Sequence, residues 1–218
     1  MKLDRHGKAP ILSVEELQLL FNEGLNTERD RALFACQLFT GCRIAEACSL
    51  RTGDVFDQTG KVRPKIIIRK GNTKGKLATR TIPVIEDLRL ILSQYYPQAR
   101  AVYLFPGRGD SHIKPDSADN ILRQACQRVG LEGISTHSFR RTALTQMSDA
   151  GIPLRVIMEI SGHRNLSQVA AYIEVRDDQV LGAVNSLSLL SPLPKSEKCS
   201  YFGENLHLHP QKTTENPS

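Results

Sequence analysis

Helical periodicity recurs along most of this chain and is interrupted once by a β-branched run, and this pattern constrains the fold more than any other feature. Residues 65–69 read Lys-Ile-Ile-Ile-Arg, and a second strand-like segment spans 79–84. The residues between them include Gly-Asn-Thr-Lys-Gly at 71–75, which has the composition of a turn. We therefore predict a mainly α fold with a small antiparallel β-hairpin, to which 54–56 would add a third strand.

Capping residues and glycines indicate where the helices begin and end. Ser13 and Glu16 form a capping-box pattern, Thr27 stands three residues before Asp30, and Thr136 can cap the segment that follows it. Glycines close several of these segments. The predicted helices cover 14–23, 28–40, 44–49, 86–95, 116–129, 137–150, 154–160, 166–173 and 177–187.

The two ends of the chain lack this periodicity. We assign 1–12 to an N-terminal arm, 13–190 to one folded domain and 191–218 to a flexible C-terminal tail. The arm could add affinity for an anionic partner through its ionisable side chains, which are Lys2, Arg5, His6 and Lys8.

Positive charge is concentrated around the predicted hairpin. The net charge is +6 and the pI is about 9.2, which favours an anionic partner. No acidic residue lies between Asp57 and Glu86, whereas eight basic residues do: Lys61, Arg63, Lys65, Arg69, Lys70, Lys74, Lys76 and Arg80. Such a run is either a solvated face or a strip that follows a phosphate backbone.

Cysteine usage and hydropathy predict an intracellular protein with reduced thiols. The five cysteines include no C-x-x-C pair, and neither a signal peptide nor an apolar stretch of about 18 residues is present. We therefore expect a cytoplasmic location without membrane association. Cys199, His207 and His209 lack an obvious fourth ligand, so no metal site is expected. The absence of Trp argues against carbohydrate binding through aromatic platforms.

Five side chains suggest phosphodiester chemistry when they are taken together. Each alone has an ordinary structural explanation: Arg43 could cap a helix, His137 and Arg140 could serve the start of another, His163 could be a turn residue and Tyr172 a core residue. As a set, a tyrosine hydroxyl can attack a phosphodiester while cations neutralise the charge that develops on its oxygens. His137 and Arg140 are three residues apart and share one helix face.

The order of these motifs resembles that of the tyrosine recombinase (phage integrase) catalytic domain. The motifs are Thr-Gly-Cys-Arg-Ile-Ala-Glu at 40–46, a lysine-bearing hairpin, His-Ser-Phe-Arg at 137–140, Gly-His at 162–163 and Tyr172. The resemblance covers about 12–187. It implies the catalytic domain alone, in a short form without the N-terminal core-binding domain of the family.

The resemblance implies a role for each of these side chains. Tyr172 would attack the scissile phosphate and form a 3′-phosphotyrosyl bond. Arg43 and Arg140 would clamp the non-bridging oxygens, since planar guanidinium groups suit phosphate. His163 would donate a hydrogen bond to the same phosphate. His137 would help to remove the tyrosine proton, because an unperturbed phenol has a pKa of about 10.

The resemblance also implies a general acid and a set of supporting residues. Lys74 at the predicted turn would protonate the 5′-oxygen leaving group, although Lys70 and Lys76 lie within reach of the same role. Glu46 would buttress the site. The DNA-contacting residues would be Arg69, Lys70, Lys76, Arg80 and Arg141.

The implied function is site-specific DNA recombination without a metal, cofactor or nucleotide. Two alternatives remain: a non-catalytic DNA-binding competitor or regulator derived from an integrase, and relaxation of DNA in the manner of a type IB topoisomerase. The expected partners are double-stranded DNA and accessory DNA-bending proteins. We expect a monomer when free, a homotetramer on paired DNA sites and association with the nucleoid when DNA is bound.

Overall fold

A computed structural model describes residues 9–69, 71, 79–99, 102–172 and 177–187. The chain divides into two compact units, Met1–Glu174 and Val175–Ser218. Most of the predicted arm, the predicted C-terminal tail with Cys199, His207 and His209, and the loop that carries Lys70, Lys74 and Lys76 lie outside the described residues. Among the described helices, none has the length and hydropathy needed to span a membrane.

Four α-helices precede the hairpin among the described residues. They are α1 (Val14–Leu19), which continues as a π-helical turn over Leu20–Gly24, then α2 (Glu28–Thr40), α3 (Ile44–Cys48) and α4 (Thr52–Val55). The predicted capping box of α1 is confirmed, since Ser13 Oγ accepts from the Glu16 N–H and Glu16 Oε2 accepts from the Ser13 N–H. Thr27 caps α2 through the Asp30 N–H. These local hydrogen bonds fix the helix starts.

The hairpin is shorter than the sequence predicts. Strand β1 (Lys65–Ile68) pairs antiparallel with β2 (Arg80–Pro83), so that Ile66 lies opposite Ile82 and Ile68 opposite Arg80. The predicted third strand at 54–56 is wrong: α4 occupies most of it, and Phe56 forms an isolated bridge with Val62. The sheet therefore has two strands among the described residues.

Among the described residues of the first unit, five α-helices follow the hairpin. They are α5 (Glu86–Tyr95), α6 (Pro115–Arg128), α7 (Thr136–Asp149), α8 (Leu154–Ser161) and α9 (Leu166–Ala170). Ser135, rather than the predicted Thr136, is the N-cap of α7, because the chain is still extended at Ser135 and its N–H bonds to Ser138 Oγ. Helix α9 ends before the predicted 173, so Tyr172 lies in the turn after it.

Helix α2 lies in the core, and its packing fixes the position of its C-terminal end relative to α7. Residues 32–36 of α2 are fully buried, and Phe34 stacks on Phe139 of α7 with ring centroids 5.2 Å apart. Gln37 of α2 donates to the Thr136 carbonyl at 2.7 Å. The C-terminal end of α2 is thereby packed beside the first turns of α7.

The segment before α1 is fixed on α7. The Leu12 N–H donates to Thr142 Oγ1 at 2.8 Å, and Arg141 Nη1 donates to the Ala9 carbonyl at 2.7 Å. Leu12 is itself buried in the core. Residues 9–12 therefore belong to the packed structure.

The second unit contains α10 (Asp177–Asn185) among the described residues. This helix ends two residues before the predicted 187. Its apolar side chains Val180, Leu181 and Val184 are exposed and follow helical spacing. They form an apolar stripe on α10.

Candidate active site

Arg43 is positioned by the sharp turn between α2 and α3. Gly41 takes φ +58° at the end of α2, a left-handed conformation that glycine adopts at little cost, and Arg43 then forms the N-cap of α3. The Arg43 N–H donates to Glu46 Oε2 at 2.9 Å. Its Nη1 is buried without a hydrogen-bond partner among the described residues and lies 3.5 Å from Glu46 Oε1. A buried donor of this kind can bind an anion.

Glu46 is the carboxylate at the centre of the site. It is fully buried and accepts from Arg80 Nη2 at 2.7 Å in addition to the Arg43 N–H. Burial alone would raise the pKa of Glu46, but the hydrogen bond and charge of Arg80, the Arg43 N–H and the charge of Arg140 together lower it. Glu46 therefore stays ionised, and its supporting role stays a prediction.

Arg80 lies inside the protein, in a position different from the predicted DNA contact. Its side chain is 9% exposed, and besides Glu46 it donates through Nε to the Ile160 carbonyl at 3.0 Å. A Cβ at Gly162 would come within 2.8 Å of Arg80 Nη1. The guanidinium therefore occupies space that a side chain at 162 would need, and its geometry is that of a structural link between β2, α3 and α8.

Arg140 is held by backbone carbonyls from two directions. It is 2% exposed, and it donates to the Gly41 carbonyl at 2.5 Å through Nη1 and to the Ser161 carbonyl at 2.9 Å through Nη2. Burial and the nearby charge of Arg43 lower the pKa of Arg140 to about 10, which still leaves the guanidinium charged at neutral pH. The side chain is thus oriented by groups that do not neutralise it.

His163 lies between Arg140 and the end of α8. Its Nε2 is 3.0 Å from Arg140 Nη2, and its Nδ1 is 2.7 Å from Ser161 Oγ. The imidazole is 7% exposed. Burial, followed by the charges of Arg140, Arg43 and Arg80, lowers the pKa of His163 to about 4, so the ring is neutral at pH 7.

Tyr172 lies beside His163. The two ring centroids are 5.5 Å apart, with the planes tilted by 42°. The Tyr172 N–H donates to the Val169 carbonyl at 2.9 Å, and the Tyr172 carbonyl accepts from Thr145 Oγ1 at 3.1 Å. The side chain is half-buried against Leu144, Ile157 and Val169.

His137 is placed differently from the other predicted site residues. It is exposed in the first turn of α7, one turn before Arg140. The structure therefore brings together Arg43, Glu46, Arg140, His163 and Tyr172, and Arg80 contacts this group through Glu46. His137 lies at the surface of α7, the helix that also carries Arg140. Lys74 lies outside the described residues.

Two further residues predicted to contact DNA differ in exposure. Arg69 forms an ion pair with the fully buried Asp54, at 2.6 Å from Nη2 to Oδ1, while its own side chain is 51% exposed. Arg141 is buried and donates to the Ala9 carbonyl. Arg69 can still face a ligand, whereas Arg141 holds the chain that leads into α1.

The arrangement can hold an anion with several oxygens next to a nucleophile. Arg43 and Arg80 both pair with Glu46, and the charges of Arg43, Arg80 and Arg140 act on His163 against this one carboxylate, so positive charge is in excess there. Among the described residues, no cluster of three or more His, Cys, Asp or Glu side chains could hold a metal ion. Sequence reasoning missed Ser161 and Thr145, although Ser161 stands two residues before His163.

The chain is similar to several proteins named tyrosine recombinases. The chain is 28% identical over 176 residues to a tyrosine recombinase of Pseudothermotoga lettingae, which covers 79% of this chain and 58% of that protein. It is 28% identical over 170 residues to tyrosine recombinase XerA of Pyrococcus furiosus, which covers 76% and 57% of the two chains. The chain thus spans little more than half the length of these relatives.

Solved structures share this fold. A crystal structure of XerA recombinase superimposes with a TM-score of 0.68 at 20% identity, covering 83% of this chain and 65% of that one. XerH site-specific recombinase bound to its difH substrate gives a TM-score of 0.60 at 23% identity and covers 82% and 55%. The predicted fold, mainly helical with a small antiparallel sheet, is confirmed. Residues 11–179 match the phage integrase family, and the chain therefore belongs to it.

Proposed function

We propose that this chain is the catalytic part of a site-specific DNA recombinase that cleaves and rejoins strands through a covalent 3′-phosphotyrosine at Tyr172. The observation that carries the proposal is the contact between Tyr172 and the Arg140–His163 pair. The Tyr172 ring lies 5.5 Å from a buried histidine, which itself contacts a buried arginine. Burying these ionisable groups together costs free energy, and such groups cluster at functional sites.

In this proposal Arg43 and Arg140 bind the non-bridging oxygens of the scissile phosphate. Among the described residues, the buried Nη1 of Arg43 makes no hydrogen bond and has only the 3.5 Å ion pair with Glu46, and the Gly41 and Ser161 carbonyls orient Arg140 without cancelling its charge. Such oriented cations stabilise the charge that develops at phosphorus. Glu46 contacts Arg43 and is itself held by Arg80.

One residue is assigned to hydrogen bonding and two to proton transfer. His163 donates a hydrogen bond to the phosphate, and His137 accepts the Tyr172 proton as the complex forms. Lys74 protonates the 5′-oxygen leaving group, with Lys70 and Lys76 as neighbouring candidates. Exchange of one phosphodiester for a phosphotyrosine keeps a bond of similar type, so rejoining needs no nucleotide.

The proposed partner is double-stranded DNA. Solved proteins with this fold include the XerH recombinase bound to difH and the Tn1549 transposon integrase in complex with circular intermediate DNA. The exposed half of Arg69 and the basic run around the hairpin suit a phosphate backbone. The proposal includes association with the nucleoid while DNA is bound.

The proposed assembly is a tetramer on paired DNA sites formed from free monomers. The apolar stripe on α10, formed by Val180, Leu181 and Val184, supports it, because an amphipathic helix that exposes its apolar side chains gains stability by covering them. We propose that a neighbouring copy covers this stripe when DNA brings copies together. Accessory DNA-bending proteins complete the proposed set of partners.

Covalent capture tests the proposed chemistry. Duplexes that the chain binds are first selected from a random-sequence pool, and nicked "suicide" versions are then incubated with the wild type, Tyr172→Phe and Tyr103→Phe. We expect an SDS-stable protein–DNA adduct with the wild type and Tyr103→Phe and none with Tyr172→Phe, while all three bind the duplex equally. An adduct that persists in Tyr172→Phe contradicts the nucleophile, and binding without any adduct supports a non-catalytic DNA-binding protein.

A further inference from the structure

Ser161 makes two contacts with the site through different atoms. Its carbonyl accepts from Arg140 Nη2 at 2.9 Å, and its hydroxyl lies 2.7 Å from His163 Nδ1 and 3.3 Å from the Met158 carbonyl. The residue is fully buried at the end of α8, immediately before the left-handed Gly162. A buried hydroxyl in this position decides how the histidine beside it can be protonated.

The shorter contacts of His163 favour one tautomer. Arg140 has only donors, and its Nη2 lies 3.0 Å from Nε2 and 3.3 Å from Nδ1, so the closer nitrogen, Nε2, is the one that accepts from it. In a neutral imidazole the proton then lies on Nδ1, and Nδ1–H donates to Ser161 Oγ. The Ser161 hydroxyl is left to donate to the Met158 carbonyl. All polar atoms of this chain of contacts are paired.

A hydrogen bond from Nε2 to a phosphate oxygen needs the opposite arrangement. The Nδ1–H bond breaks and an Nε2–H bond forms, with one proton released and one taken up by exchange with water, so the net charge is unchanged. Ser161 must then rotate its hydroxyl from the Met158 carbonyl to Nδ1. A hydroxyl can both accept and donate, and therefore it satisfies Nδ1 in either tautomer.

We propose that Ser161 is a positioning residue for His163, whose hydroxyl holds Nδ1 in both tautomers and so lets Nε2 change from acceptor to hydrogen-bond donor toward the scissile phosphate. This inference rests on the proposed function for its catalytic consequence. The groups that face His163 are Arg140 from α7, Arg43 and Glu46 from α3, Arg80 from β2 and Tyr172 after α9. None of them offers Nδ1 both a donor and an acceptor as Ser161 does.

The first measurement determines the tautomer of His163 in the free chain, independently of DNA cleavage. The protein is labelled with ¹⁵N-histidine, the His163 signals are identified with His163→Gln, and the proton-bearing nitrogen is read by NMR in the free chain. We expect the Nδ1–H form in the wild type and in Ser161→Thr. We expect a shifted tautomer ratio in Ser161→Ala, which keeps the backbone and removes the hydroxyl. Ser49→Ala, which also removes a buried hydroxyl at the end of a helix, should leave His163 unchanged.

Adduct formation on the suicide duplex is measured with the same variants. Loss of one hydrogen bond should slow cleavage by Ser161→Ala about tenfold at unchanged DNA affinity, with recovery in Ser161→Thr and no change in Ser49→Ala. A wild-type His163 spectrum in Ser161→Ala overturns the inference. A shifted spectrum in a chain whose wild type forms no adduct supports the inference about His163 and counts instead against the proposed function.

Discussion

Thr145 donates its hydroxyl to the backbone carbonyl of Tyr172, with 3.1 Å between Oγ1 and O. Thr145 is buried in α7, the helix that also carries Arg140, whereas Tyr172 lies in the turn after α9. The hydrogen bond therefore ties the proposed nucleophile to the helix of the proposed phosphate-binding arginine. It fixes the backbone of Tyr172 and leaves its side-chain hydroxyl out of this hydrogen bond.

Replacement of Thr145 should affect cleavage more than binding. Thr145→Val keeps the shape and removes the hydroxyl, which costs about 1 kcal/mol of positioning and should slow adduct formation about fivefold. Thr145→Ser retains the donor and should behave as the wild type. Single-turnover cleavage and DNA affinity are measured in parallel. Equal cleavage by Val and Ser variants would show that this hydrogen bond does not position Tyr172.

Neutralising Glu46 should destabilise the fold strongly. Glu46→Gln leaves the buried Arg80 without its counter-charge, and a broken buried pair costs roughly 3–5 kcal/mol. Asp119→Asn breaks the exposed pair with Arg123 and should cost less than about 1 kcal/mol. Urea unfolding at neutral pH measures both. The idea fails if the two variants lose similar amounts of stability.

The same carboxylate predicts acid sensitivity. The pKa of Glu46 is lower in the folded protein than the unfolded value of about 4.3. Its contribution to stability is therefore present above that value and is lost as the pH falls through the folded pKa. Unfolding experiments below about pH 4.3 should show a smaller loss on acidification in Glu46→Gln than in the wild type.

His163 predicts a second and higher pH window. Its pKa is lowered to about 4 in the folded protein, against about 6.5 in the unfolded chain. Stability linked to its neutral form is present above about pH 6.5 and is lost as the pH falls from 6.5 towards 4, by at most about 3 kcal/mol. His163→Gln cannot take up this proton and should flatten the profile in that window. His137→Gln, at an exposed position, serves as the control, and an unchanged slope in His163→Gln would contradict the prediction.

Two glycines with the same backbone conformation should respond differently to alanine. Gly151 and Gly162 have φ of +74° and +69°, so both substitutions carry a backbone cost of about 1 kcal/mol. A Cβ at 162 would also lie 2.8 Å from Arg80 Nη1, whereas one at 151 meets no atom within 4 Å. Gly162→Ala should therefore lose additional stability and cleave at least tenfold more slowly, measured per bound complex. Similar behaviour of the two variants would remove the proposed link from Gly162 through Arg80 to the site.

The salt dependence of DNA affinity should distinguish Arg69 from Arg141. Both are predicted from the sequence to contact DNA, and both lie outside the site. Arg69 is half-exposed and Arg141 is buried. Arg69→Gln should lower the slope of log K against log salt by about 0.9, the value for one phosphate contact, and Arg141→Gln should leave it unchanged. The slope is the readout, because both variants could change the affinity itself through stability. An unaltered slope in Arg69→Gln would show that Arg69 contacts no phosphate and serves only in the ion pair with Asp54.

Local hydrogen-bonding patterns made much of the fold predictable. Ser13, Thr27 and Gly41 act within three or four residues of themselves, and the structure confirms each. The prediction of a third strand was wrong because Val55 and Phe56 suit a strand, yet Thr52–Val55 form a turn of helix in which Asp54 pairs with Arg69. That outcome depends on a partner fifteen residues away, which local propensity does not contain.

The placement of Arg80 shows where charge alone misleads. Eight basic residues lie in one acid-free stretch, and composition cannot tell which of them turns inward. Strand periodicity does distinguish Arg80. Side chains alternate between the two faces of a strand, and Arg80 shares its face of β2 with the buried Ile82, so this pattern indicates an inward position. The partner, Glu46, lies 34 residues earlier and becomes its neighbour only through tertiary packing.

The attachment of residues 9–12 to α7 gives the molecule a mechanical property. Arg141 and Thr142, which hold Ala9 and Leu12, directly follow Arg140 in the same helix. A force applied to the chain before Ala9 would therefore act through these two hydrogen bonds on α7, at the residues that adjoin Arg140. The start of the described chain and the site are thus coupled through one turn of helix.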